Sequence, residues 1–422
     1  MDAPAFILRA AWVAPMSSPV IANGAVAVRG DTVIDVGPWP DVRQSHGGLP
    51  VEDLGDAVVL PGLVNAHVHL ELSDLTPGDP PASFVDWLLG VMAKAPPPGP
   101  EGEARAAAAA RTGIAQCLKF GVTTVGDITR FPRSTRQALA DSPLRAVSFG
   151  EVTAMAARRH LLEPRLAAAM ELSPAPGRII SAVSPHAPYS IEPDGYRRCV
   201  EAARAAGVPV ATHLGETEDE WPFLVDHSGP FRRLWNTIGG WDERVPRLGR
   251  FEAYPTGFAA SVGLLDAPSA VLAHMNYARA EVDADRLARM NVVYCPRTHA
   301  YFGHPPHPWR EMLARGVNVA VGTDSTASSP DLNLVDDLRA LRRIGPDVAP
   351  AVLWEMATVR AARALGTDRD VGSVEVAKCA DLVAFPTRGA DPLATVLDSG
   401  AIPTRVWIGG NLADPRQYDH PF

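Results

Sequence analysis

The sequence predicts an α/β protein built on a (β/α)8 TIM-like barrel, joined to a small β-sandwich domain made from both chain ends. Three observations carry that prediction. The middle of the chain alternates short apolar runs of buried-strand character with helix-type segments. Eight such runs can be counted, the number a closed parallel barrel requires. The two ends share a different style, short β-type runs broken by turns.

In chain order, Phe6-Ile7-Leu8, Ala25-Val26-Ala27-Val28 and Thr32-Val33-Ile34-Asp35-Val36 are strand-like, with Gly30-Asp31 supplying a turn. Residues 1–59 are therefore assigned to the β domain. Residues 60–368 are assigned to the barrel, with strands expected at 63–70, 121–128, 145–152, 178–185, 209–216, 270–277, 292–297 and 319–325. These runs are rich in Val, Ala and Ile, as strands buried on both faces should be. Helical patterns lie between several of them, at 84–94, 103–120, 193–206, 283–290 and 308–315. The tail, 369–422, returns to β-type runs in Asp381-Leu382-Val383-Ala384-Phe385 and Arg405-Val406-Trp407-Ile408. Two connections, 71–101 and 217–267, are too long to be plain links. The first includes the helix-like Phe84-Val85-Asp86-Trp87-Leu88-Leu89, and the second carries Trp221, Trp235, Trp241 and Phe251. Such aromatic-bearing loops read as walls or lids over the barrel mouth.

Composition narrows the class. The chain has 422 residues and a formal net charge of −9. That charge argues against a nucleic-acid or anionic-membrane partner, since both are met by basic surface. No apolar run approaches the ~20 residues of a membrane helix. Cys117, Cys199, Cys295 and Cys379 form no CxxC pair, so a reducing compartment is expected. The expectation is a cytoplasmic protein with a small-molecule partner, and a homodimer as its candidate assembly.

The chemistry-bearing residues fall at strand ends. His67-Val68-His69 closes the first strand, and strand alternation sends i and i+2 to one face. His213 closes the fifth strand, His274 the sixth and Asp324 the eighth. The carboxyl ends of barrel strands are where such a fold gathers its functional groups. Imidazoles and a carboxylate brought to one mouth suit a divalent ion such as zinc or ferrous iron.

Leu60-Pro61-Gly62-Leu63-Val64-Asn65-Ala66-His67-Val68-His69, with His213, His274 and Gly322-Thr323-Asp324, resembles the signature of the amidohydrolase superfamily. Gly372–Val383 resembles that family's return to its β domain. The resemblance implies one divalent metal ion, Zn2+ or Fe2+, held by His67, His69, His213 and Asp324. Binuclear relatives carry a bridging carboxylate, often a modified lysine on the fourth strand. Lys94, Lys119 and Lys378 are the only lysines here, and none is near that strand. The resemblance further implies a hydrolytic deaminase. Glu216, three residues after His213, would protonate a ring nitrogen; His274 would orient the attacking water; Asp324 would relay its proton to the leaving amine.

For substrate, His186 in His186-Ala187-Pro188-Tyr189 is similar to the His-x-Pro-Tyr segment of adenosine-type and S-adenosylhomocysteine-type deaminases, where it touches substrate. His69-Leu70-Glu71-Leu72-Ser73 resembles the aminodeoxyfutalosine deaminases of menaquinone synthesis, with Glu71 placed to accept ribose hydroxyls. Glu151 is a second candidate for polar contacts, and Arg297 for a substrate carboxylate. The expected substrate is thus an adenine-type nucleoside, 6-amino-6-deoxyfutalosine first. Adenosine, methylthioadenosine and S-adenosylhomocysteine are the alternative substrates. Hydrolysis of a chlorinated ring or cyclic amide is another reading, and a non-catalytic barrel a remote one.

Overall fold

The computed structural model describes residues 5–249 and 254–417; Phe251 lies outside the described residues. Eight parallel strands form one sheet in sequence order: β1 (Leu63–Val68), β2 (Val122–Thr129), β3 (Arg145–Val152), β4 (Ile179–Pro185), β5 (Val210–Leu214), β6 (Ala270–His274), β7 (Asn291–Tyr294) and β8 (Asn318–Val321). All eight expected strands are present. The last four end earlier than expected, so Glu216 and Asp324 stand in the turns beyond them and Arg297 in the helix Pro296–Phe302.

The barrel is nearly closed. The backbone N–H of Asp324 donates to the carbonyl of His67 at 3.1 Å, and a single parallel bridge joins Val68 to Asp324. Gly322 permits this approach, because a Cβ there would sit 2.7 Å from the His67 carbonyl oxygen. Small and branched residues from successive strands fill the lumen, among them Val64, Phe149, Ala182, Ala211, Val271 and Ala320. Ala361, Ala362 and Leu365 of the helix Val359–Leu365 pack into the same cluster.

The two chain ends meet in a second, mixed sheet. Its strand order is Asn411–Leu412, Arg405–Ile408, Leu382–Pro386, Ala57–Pro61, Ala5–Val13, Ile21–Arg29, Thr32–Pro38, with Val51–Asp53 also paired to Ala5–Val13. Ala57–Pro61 pairs antiparallel with Leu382–Pro386 and then runs through Gly62 into β1. The metal-type motif is thereby tethered to this sheet.

The long connections fold as helices over the mouth. Helix Phe84–Lys94 starts from Ser83, whose hydroxyl accepts the N–H of Asp86, and helix Pro230–Thr237 lies against it. An Arg233–Asp86 ion pair at 2.7 Å joins the two. Among the described residues, no helix is long and apolar enough to cross a membrane.

Candidate active site and metal centre

Local backbone geometry aims the site residues. On β1 the lumen cluster includes Val64 and Ala66, so strict alternation would turn His67 away from it. The pairing of β1 with β2 slips between Asn65 and Val68, and this irregularity redirects the chain so that His67 and His69 both face the mouth. Along β6 the lumen residue is Val271, which would put Ala273 inside and His274 outside. His274 and Met275 instead adopt φ values of 73° and 55°, and the left-handed backbone brings the imidazole back. Asp324 has φ 58°. Non-glycine residues held in this region cost on the order of 1–3 kcal/mol each and cluster at functional sites.

The side chains converge. Nε2 of His69 and Nε2 of His213 are 3.2 Å apart, and Oδ1 of Asp324 lies 3.7 Å from His67 Nε2 and 3.6 Å from His69 Nε2. His67, His213 and His274 present ligand atoms within 4.8 Å of one another, as do His67, His69 and Asp324. His213 Nδ1 donates to the His186 carbonyl at 3.0 Å, which leaves its Nε2 as a bare lone pair toward the cluster. Both ring nitrogens of His67 and Nε2 of His274 are buried without a hydrogen-bond partner. Buried polar atoms are rarely left so. Several buried imidazole nitrogens facing a carboxylate fit a divalent cation.

Electrostatics agree with that donor set. Burial, reinforced by neighbouring His67, lowers the pKa of His69 to about 3, and burial also takes His274 to about 3. His213 is pushed far below its ordinary value by burial and by the surrounding imidazoles. His69, His213 and His274 are therefore held neutral, as ligands must be. Burial opposes ionisation of Asp324, but the facing imidazoles of His67, His274 and His69 hold it below the usual carboxylate range. Glu216 behaves oppositely. Burial, then the charges of Asp324 and Glu220, push its pKa well above the ordinary value. Its Oε1 lies 3.4 Å from His274 Nε2.

A cavity of ≈ 230 Å³ opens onto this cluster. His69, His213, Glu216 and Asp324 line its floor, and Glu151 and His186 line a wall. His186 Nδ1 bonds the Ser190 hydroxyl at 2.7 Å, and its Nε2 stands 3.9 Å from Glu151. Glu71 lines the cavity too, but its carboxylate already accepts from the Thr129 hydroxyl, the Arg130 and Phe131 N–H groups and Arg130 Nε. Most of its accepting capacity is thus used by protein, and it anchors Arg130 in the wall.

The structure places Arg297 away from the cavity. It is bound to Asp337 at 2.9 Å and Asp331 at 2.6 Å, because the helix Pro296–Phe302 after β7 carries it toward the helix Leu334–Ile344. The arginines that do line the cavity are Arg130, Arg158 and Arg165. Sequence reasoning missed them, since arginines in loops carry no distinguishing pattern. Phe84, Trp87, Leu88 and Val91, from the helix expected in the first long connection, form an apolar wall of the cavity. Of the aromatic residues expected in the second loop, Trp235 reaches the cavity, while Trp241 packs on Phe223 and Arg232.

Imidazoles, a carboxylate and a second, buried carboxyl whose ionisation is opposed, at the carboxyl mouth of a parallel barrel, define a metal-dependent hydrolase. The chain belongs to the amidohydrolase family, whose model matches residues 58–413. Over 401 residues, 90% of this chain and 86% of the relative, it is 29% identical to a 5-methylthioadenosine/S-adenosylhomocysteine deaminase of Moorella thermoacetica. Two solved structures share the fold. One is a zinc-bound adenosine deaminase from Xanthomonas campestris, with TM-score 0.79 and 24% identity over 99% of this chain and 98% of that one. The other is Helicobacter pylori aminofutalosine deaminase in complex with methylthio-coformycin, with TM-score 0.83 and 22% identity over 97% and 100%.

Proposed function

We propose that this protein deaminates an adenine-type nucleoside carrying an extended, carboxylate-bearing 5′ substituent, of the S-adenosylhomocysteine kind. The observation that carries the reaction is the juxtaposition of the buried imidazole and carboxylate cluster with the buried Glu216 in one cavity. His67, His69, His213 and Asp324 would hold one divalent ion, zinc or ferrous iron. Such an ion, when bound, supplies a Lewis acid that lowers the pKa of water toward ~7.

The protein groups do the rest. Glu216 gives its proton to the ring nitrogen beside the amine-bearing carbon, so that carbon accepts the water oxygen. His274, with Nε2 free, orients the water. Asp324 accepts one water proton and passes it to the departing amine, which leaves as ammonia; the remaining hydroxyl proton is lost as the carbonyl forms and restores Glu216. Acid–base assistance of this type is worth ~10²–10⁴-fold.

Relatives named as methylthioadenosine/S-adenosylhomocysteine deaminases support that substrate family over the futalosine expectation. The arginines favour its carboxylate-bearing members. Arg158 forms no ion pair among the described residues and rests against Trp235, 5.9 Å from the ring centroid. Arg165 donates to Thr153 alone. Both face the cavity and can take a carboxylate. The same feature supports 6-amino-6-deoxyfutalosine as the second reading, because it too carries one. Ammonia release from S-adenosylhomocysteine, methylthioadenosine, 6-amino-6-deoxyfutalosine and adenosine, with metal content measured on the same preparation, tests the proposal. S-adenosylhomocysteine is expected to give the highest kcat/KM, and no release from any of the four refutes the assignment.

A further inference from the structure

The turn that presents Glu216 is built on a second, buried acid. Glu220 is fully buried, at 0% exposure. Its carboxylate accepts three successive backbone N–H groups: Gly215 at 2.9 Å, Glu216 at 2.8 Å and Thr217 at 3.4 Å. The hydroxyl of Tyr254 donates to it as well. Among the described residues no lysine or arginine pairs with it, so these four donors alone offset the cost of burying it. On the other side, Nδ2 of Asn276 donates to the Glu216 carbonyl at 2.9 Å. The main chain of Glu216 is therefore gripped at both its N–H and its C=O. Gly215, at φ 60°, makes the bend between β5 and this turn, and a Cβ there would also lie 2.9 Å from Pro255.

We infer that Glu220 is a positioning residue for the reaction: with Tyr254 and Asn276 it fixes the backbone from which Glu216 delivers its proton. The inference rests on the reading of Glu216 as proton donor. With its backbone gripped, Glu216 can move only through its own side-chain torsions, which keeps its carboxyl beside His274. A structural purpose alone would not need a carboxylate, because a solvent-facing turn satisfies its N–H groups with water. Here Gly215, Glu216 and Thr217 are buried, and only an acceptor with several lone pairs can take their three N–H groups at once. A glutamine cannot satisfy all three, since Glu216 and Thr217 donate to one carboxylate oxygen and Gly215 to the other, and an NH2 in either place confronts an N–H donor.

The test is a double-mutant cycle between Glu220→Gln and Glu216→Gln, with Tyr254→Phe as a milder perturbation. Kinetics are read with S-adenosylhomocysteine and methylthioadenosine, and metal content and amide hydrogen exchange across residues 213–219 are read on the same proteins. Glu220→Gln is expected to lower kcat about 100-fold, with KM within about threefold of wild type and one metal ion per chain retained. Exchange at Gly215–Thr217 should accelerate. In the Glu216→Gln background the same change should add no further loss, because a group acting through Glu216 has nothing left to position. An equal loss in both backgrounds, loss of the metal, or unchanged kcat and exchange overturns the inference. If Glu220→Gln does not fold, Tyr254→Phe decides. A several-fold kcat loss that vanishes in the Glu216→Gln background supports the clamp, and unchanged kcat and exchange refute it. If the wild type releases no ammonia from S-adenosylhomocysteine, methylthioadenosine, 6-amino-6-deoxyfutalosine or adenosine, the deaminase reading fails, and hydrogen exchange alone judges whether Glu220 holds the turn.

Discussion

Replacing Arg158 by methionine separates recognition of the substrate's distal end from the chemistry. Methionine keeps an apolar stem beside Trp235 while removing the guanidinium, which sits 5.9 Å from that ring and forms no ion pair among the described residues. Removing it therefore exposes no buried carboxylate of the protein, and the fold should be indifferent. A hydrogen bond to a charged partner is worth about 1.5–3 kcal/mol. At about 1.4 kcal/mol per decade this is roughly 10- to 150-fold in kcat/KM. The figure belongs at the lower end, because Arg158 is only partly buried and Arg165 lines the same cavity. The loss should fall on S-adenosylhomocysteine and 6-amino-6-deoxyfutalosine, whose substituents carry a carboxylate. Methylthioadenosine has none and should keep its kcat/KM within about twofold. Steady-state ammonia release with the substrates in parallel measures the ratio directly. An equal fall for charged and neutral substrates would refute the reasoning, since it would place Arg158 in the fold or in the chemistry.

Other expectations follow from the same geometry. Glu216→Gln should keep one metal ion per chain yet lose ~10²–10⁴-fold in kcat, checked by elemental analysis beside ammonia release. His67→Asn should lose the ion itself, because His67 faces both His213 and Asp324 and its nitrogens have no other partner; a stoichiometric ion in that variant would remove His67 from the ligand set. In the metal-free protein, burial depresses His69, His274 and His307 to about 3, far below their unfolded value near 6.5. Their neutral forms contribute stability that is complete above about pH 6.5 and is lost as pH falls toward about 3, on the order of 1 kcal/mol per group per unit. Melting curves of the apo protein from pH 7 to 5 should therefore fall steeply, and a flat profile would count against neutral, buried imidazoles.

What the sequence conveys here follows from which physical rule governs each residue. Hydrophobic pattern governs the barrel, so eight runs of Val, Ala and Ile mark its strands, and strand ends mark the mouth where His67, His69, His213, His274 and Asp324 meet. Side-chain direction is a different matter, because it depends on local departures from regular strand. The slip in β1 and the left-handed backbone at His274 reverse what alternation alone would say. After His69 the chain closes into a 3-10 turn at Leu70–Leu72, so Glu71 no longer shares the face that an extended strand would give it, and Thr129, Arg130 and Phe131 claim its oxygens. Arg297 illustrates the same limit over a longer range. Its guanidinium is satisfied by carboxylates 34 and 40 residues away, Asp331 and Asp337, and no local pattern reveals that pairing. The metal-binding chemistry survives these local surprises because several strands contribute to it. Substrate choice depends on single loop arginines whose partners are set by tertiary structure, which is why the reaction could be read from the chain more fully than the molecule it acts on.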